Sequence, residues 1–153
     1  MHRFLQYVFL VCFISASLLF SSCDSSDGFF SRAIEHPPII KQALLNARQK
    51  SKGVIIIFGA DWCPPCRQLD KILAQAEVRN ELQPLYEIVK IDVGNWDKNM
   101  DTAKKYGNPV QQGMPGIVLL NQDGSIRETI EVDELDGLIK GGAEVLTLYL
   151  QES

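Results

Sequence analysis

The stretch VIIIF (Val54 to Phe58), running directly into GADWCPPC (Gly59 to Cys66), constrains this chain more than any other. An unbroken β-branched and aromatic run is how a strand buried on both faces reads. Beyond the cysteines, Cys66, Leu69, Ile72, Leu73 and Ala76 fall on one apolar stripe, with Arg67, Gln68, Asp70, Lys71 and Gln75 outside it. That spacing predicts a helix whose stripe packs on a core. The pair Cys63 and Cys66 is therefore expected at the N-terminal end of a helix that leaves the carboxyl end of a buried strand, where α/β folds build their active sites.

The first residues differ in kind from the rest. His2 and Arg3 precede a run from Phe4 to Phe20 interrupted only by Gln6, Ser15 and Ser17, and SSCDSSDG follows. This is the pattern of an export signal. An uncleaved anchor is the alternative, since about 17 residues is the lower limit for spanning a bilayer. A buried helix so uniformly apolar would need a much larger protein around it. The end of the segment resembles a bacterial lipoprotein signal, with Ser21 and Ser22 before Cys23, although Phe20 stands where Leu is usual. The resemblance implies cleavage before Cys23 and lipid attachment to it; the competing reading is an ordinary signal or anchor with Cys23 incidental. In a Gram-negative bacterium, Asp24 would resemble the residue that retains lipoproteins on the periplasmic side of the inner membrane.

The chain holds four cysteines, and assigning Cys12 to the signal and Cys23 to lipid leaves one pair. A structural zinc site needs four ligands, while His2 lies in the signal and His36 stands alone in a proline-rich linker. No metal and no cofactor is expected. A purely structural disulfide across one helical turn closes a tiny loop and constrains the unfolded chain little, so the spacing favours a bond made to be broken. The formal charge is −4, or −5 without the segment to Cys23, with charges mixed along the chain. Nothing in that distribution suits nucleic acid.

The division expected is a signal over 1–23, a tether over 24–37 ended by a Pro pair, and one domain over 38–153. Within the domain, Ile39, Ile40, Ala43, Leu44 and Ala47 predict an amphipathic helix ending near Lys50. EIVKID (Glu87 to Asp92) predicts a second strand, VGNWDKN a loop, and the following residues a short helix ending around Tyr106 with Met100 and Ala103 facing the core. Ile117 to Leu120 and SIRETIEV predict a hairpin with Asp123 and Gly124 at its turn. The chain is helical at least from Ala143 to Leu150, whereas Gly137, Gly141 and Gly142 leave Asp133 to Lys140 ambiguous.

This order, with Trp62, Cys63, Pro64, Pro65 and Cys66 after the first strand and a proline ahead of the hairpin, resembles the thioredoxin family over roughly Pro38 to Leu150. Phe58, Ala60, Trp62 and both cysteines match the family's signature, and Pro115 in GMPG matches its cis-proline. The resemblance implies an α/β thioredoxin-like fold, a central mixed β-sheet flanked by helices. It also implies that Cys63 is the attacking thiolate, favoured by the helix start, and that Cys66 resolves the mixed disulfide. Trp62 would cover the edge of the site. The backbone of Met114, ahead of Pro115, would receive an extended substrate segment like an added strand.

The chain also departs from the family's pattern. Ile57 stands where the family commonly has a buried acid, Gly116 where Thr is frequent, and the loop from Val93 to Asn99, with Trp96 in it, is longer. Three functions fit: a reductase of exported protein disulfides fed by a membrane electron donor, a disulfide-forming oxidase, or a binding module without turnover. The two prolines between the cysteines favour the reductase, because they remove backbone donors from the Cys63 sulfur.

Overall fold

The computed structural model describes Phe30 and residues 37–153. The signal over 1–23, the proposed lipid site Cys23 and all of the tether except Phe30 and Pro37 lie outside the described residues.

The elements are α1 (Pro37–Lys50), β1 (Gly53–Gly59), α2 (Pro64–Leu73), α3 (Ala76–Leu82), β2 (Tyr86–Asp92), α4 (Met100–Lys105), β3 (Gly116–Leu120), β4 (Ile126–Ile130) and α5 (Val132–Glu152). The strands form one mixed sheet in the order β2-β1-β3-β4. β1 runs parallel to β2 and antiparallel to β3, which pairs antiparallel with β4. A parallel neighbour needs a crossover, and α2 with α3 supplies it. α1 packs on β1 and β2, and α5 packs on α2 and α3.

β1 reads as a strand buried on both faces because it is one: Val54 through Phe58 are each 1% exposed or less. Burying five such side chains contributes on the order of 1.5–3 kcal/mol apiece before entropy is set against it. That core holds the carboxyl end of β1, and hence the residues after Gly59, in a fixed place.

Three local expectations are corrected. The Pro pair opens α1 instead of ending a linker, because a helix's first turn has no use for the N–H that proline lacks. The helix after the cysteines stops at Leu73: Gln75 is extended (φ −66°, ψ 139°) and Ala76 starts a separate helix that buries Val78 and Leu82. Ala76 is accordingly exposed rather than part of the core stripe. The ambiguous C-terminal region is helical from Val132, with Gly142 (φ 87°, ψ −171°) breaking the regular geometry between two helical pieces.

Candidate active site

α2 starts where the sequence places it. Pro64 and Pro65 occupy its first two positions, and Cys63 is the N-cap residue with extended backbone (φ −78°, ψ 117°). The Sγ of Cys63 accepts the N–H of Cys66 at 3.3 Å, the place a capping serine or aspartate oxygen takes in other helices. The Cα atoms of Cys63 and Cys66 are 5.3 Å apart and their sulfurs are joined in a disulfide. The next backbone donor, Arg67 N–H, goes to the Cys63 carbonyl at 3.1 Å. The Arg67 guanidinium donates to the Asp61 carbonyl at 2.8 Å.

Both cysteines are covered, Cys63 at 2% exposure and Cys66 at 0%. Burial therefore does not distinguish the two sulfurs in the disulfide form; what separates them is what each faces. Cys63 Sγ lies 3.6 Å from the Met114 carbonyl oxygen, and the Met114–Pro115 bond is cis. Met114 is buried, at 7% exposure. Cys66 Sγ instead faces Gly59 and Phe30: it is 3.0 Å from where a Cβ on Gly59 would sit, and the Phe30 ring tip is 2.9 Å from the same point.

Phe30 falls in the stretch read as tether, yet it is 2% exposed within the core. Its N–H donates to the Asp61 carboxylate at 2.8 Å. The only hint in sequence is a Phe pair, Phe29 and Phe30, in otherwise polar surroundings.

Trp62 is 51% exposed, and its indole N–H donates to the Gly94 carbonyl at 2.9 Å. The start of α2 is thus tied to the long loop after β2.

Ile57, at the position of the family's buried acid, is 1% exposed and pairs in register with Lys90 on β2. Lys90 makes an ion pair with Asp70, whose place on α2 is one turn beyond Cys66. Burial raises the Asp70 carboxyl above its ordinary range, against the pull of Lys90. Burial likewise lowers the Lys90 ammonium, against the pull of Asp70. This pair was not singled out from sequence, although Asp70 stands four residues after Cys66 and Lys90 falls between the apolar Val89 and Ile91. Among the described residues, no three His, Cys, Asp or Glu side chains gather into a metal-binding group.

A disulfide-forming cysteine pair at the start of a helix that follows a buried strand, beside a cis-proline, defines a class: thiol:disulfide oxidoreductases of thioredoxin-like fold. Comparison with known proteins agrees. Residues 38–122 match the family model described as thioredoxin-like, and the chain belongs to that family. It is 38% identical over 82 residues to thioredoxin of Bacillus subtilis strain 168, covering 53% of this chain and 70% of that one. It is 33% identical over 97 residues to thioredoxin of Listeria monocytogenes, covering 60% and 85%. Among solved structures, a disulphide isomerase from Xylella fastidiosa Temecula1 superposes with a TM-score of 0.77 at 31% identity, covering 84% of this chain and 98% of that one.

Proposed function

We propose that this protein is an exported, membrane-tethered reductase of protein disulfides. Cys63 thiolate attacks a substrate disulfide, forming a Cys63–substrate bond and releasing the substrate's other sulfur as thiolate. Cys66 then attacks Cys63, freeing the second substrate thiolate and leaving the Cys63–Cys66 disulfide, which a membrane dithiol donor reduces again.

The observation that carries the direction is the poverty of donors at the Cys63 sulfur. Pro64 and Pro65 have no N–H, and Arg67 N–H is bonded to a carbonyl, which leaves the Cys66 N–H. A thiolate held by few donors is a poorly stabilised reduced form, and a poorly stabilised reduced form makes a strongly reducing couple. The expected potential lies near the reducing end of the range that runs from about −270 to about −120 mV. Equilibration with glutathione measures it, and a value at the oxidising end would turn the assignment to an oxidase.

Export and tethering rest on the segment ending at Cys23. Cleavage before Cys23 removes the apolar run, so attachment would come from acyl chains. Cys23→Ala should then abolish acyl labelling and processing of the precursor; an unlabelled, unaltered product in both forms would leave a plain signal or anchor.

The isomerase described for the similar Xylella fastidiosa structure supports a second reading, because isomerisation begins with the same attack by reduced Cys63. The two part at Cys66. Cys66→Ser should stop net reduction, and would preserve rearrangement of a scrambled substrate if isomerisation is the main activity.

A further inference from the structure

The chain's two tryptophans, Trp62 and Trp96, both stand at the catalytic end of the sheet, 51% and 43% exposed. They belong to one assembly, because Trp62 donates to the carbonyl of Gly94, two residues before Trp96. The loop carrying Trp96 is tightly determined. Gly94 N–H and Lys98 Nζ bind the Asp92 carboxylate at 2.9 and 3.0 Å. The Asn99 side-chain amide donates to the Asp92 carbonyl at 2.8 Å, and Trp96 N–H donates to the Val93 carbonyl at 2.9 Å.

Inside this frame Trp96 has φ 67°. A bulky L-residue pays a steric penalty there, and the surrounding bonds hold it in place with its ring half in solvent. Packing the loop down would not require an exposed ring. Trp96 forms one wall of a cleft of about 330 Å³, with Met100 and Val110 as further apolar lining and Asn108, Gln111 and Gln112 as uncharged amides. Gly113 closes the lining, and the residue after it is Met114, whose carbonyl faces Cys63 Sγ. The lining of the cleft thus ends one residue before the carbonyl that faces the disulfide.

We propose that this cleft is a specificity pocket for a large apolar side chain next to the reacting cysteine of a protein substrate, with Trp96 as its principal determinant. The inference rests on the exchange reaction of Cys63 proposed above, though not on its net direction. An extended segment advances about 3.3 Å per residue, so when its cysteine is bonded to Cys63 a residue one or two positions away lies over Gly113 and the cleft. Leu, Met or Phe fits the apolar lining. A charged side chain would lose water without gaining an ionic partner from that lining.

The test uses the full chain with Cys66→Ser, which stops at the mixed disulfide. Reduced Cys63 is reacted with peptides whose single cysteine is held as a disulfide with a small thiol, and whose flanking residues are both Leu, both Gly or both Asp. Bis(2-hydroxyethyl) disulfide serves as a probe with no peptide. The Leu peptide should be captured about tenfold more efficiently than the Gly peptide, the scale on which an apolar pocket discriminates. Trp96→Ala should bring that ratio within about twofold of unity, and Trp96→Phe should restore most of it. Gln112→Lys, at an exposed position that leaves the loop frame intact, should raise capture of the Asp peptide relative to Leu severalfold. A wild-type ratio near one, or an unchanged ratio in Trp96→Ala, overturns the pocket while the exchange reaction stands. No reaction even with bis(2-hydroxyethyl) disulfide overturns the exchange reaction itself, and the pocket with it.

Discussion

The backbone N–H of Cys66 points at Sγ of Cys63 from 3.3 Å, so the residue proposed to resolve the mixed disulfide also supplies a hydrogen bond to the residue proposed to start the reaction. Adding a donor at that sulfur should shift the couple in a known direction. Pro65→Ala restores one N–H in the first turn of α2, and Pro65→His adds a possible cation as well. A hydrogen bond to a charged group is worth about 1.5–3 kcal/mol, and for a two-electron couple about 1.4 kcal/mol corresponds to 30 mV. Pro65→Ala should therefore make the couple more oxidising by about 30–60 mV and lower the Cys63 thiol pKa, with Pro65→His going further. Glutathione equilibration and the pH dependence of alkylation read the two effects, and no shift in either variant would refute the role of the backbone donor.

Phe30 seals the other sulfur. Its ring and Cys66 Sγ meet over Gly59, and it is 2% exposed. Phe30→Ala should cost up to about 3–5 kcal/mol, the range for emptying a Phe site. It should also speed alkylation of Cys66 in a Cys63→Ser background. A large loss of stability in denaturant titration without faster alkylation would mean that Phe30 only fills the core. Gly59→Ala offers the reciprocal check, since its methyl would displace the same ring.

What could be read in the sequence follows from how local each signal is. β1 was legible because five consecutive apolar residues admit few other environments. The cysteines were placed correctly at a helix start because strand, cysteines and helix are contiguous in the chain. The break at Gln75 carries neither Gly nor Pro, and the apolar stripe passes through it, so it stayed hidden. Phe30 and the pairing of Asp70 with Lys90 depend on contacts across 31 and 20 residues, and no periodicity reports a contact of that kind.

Gly116 shows a departure from the family's pattern acquiring a physical reason. The carbonyl group of Pro109 occupies the space a side chain on Gly116 would need, with its carbon 2.8 Å from the Cβ position. The obstacle is backbone, which cannot swing aside as a side chain could. Gly116→Thr, the residue frequent in the family, should destabilise the fold by at least the 1–3 kcal/mol typical of overpacking. Gly116→Ala should show a smaller loss of the same sign. Thermal unfolding decides this, and a Thr variant as stable as the parent would show that the segment around Pro109 can move.

The Asp70–Lys90 pair makes a prediction whose sign depends on burial outweighing attraction. The two side chains are 16% and 15% exposed; burial raises the Asp70 carboxyl and lowers the Lys90 ammonium, in each case against the partner's pull. Because the folded carboxyl is raised above its ordinary 3.8, the folded state binds the proton more tightly than the unfolded chain does. The pair's contribution to stability must then fall as pH rises from about 3.8 through the folded value. Removing only Lys90, as Lys90→Met, leaves Asp70 buried without its cation; it should cost about 1–3 kcal/mol at neutral pH and less near pH 4. The double change Asp70→Leu with Lys90→Met removes both desolvated charges and should be neutral or stabilising at pH 7. Denaturant titrations of the three proteins at pH 4 and pH 7 measure all of these differences. If the double variant is instead the least stable at pH 7, attraction outweighs desolvation, and the pair is a net support of the sheet beneath the cysteines.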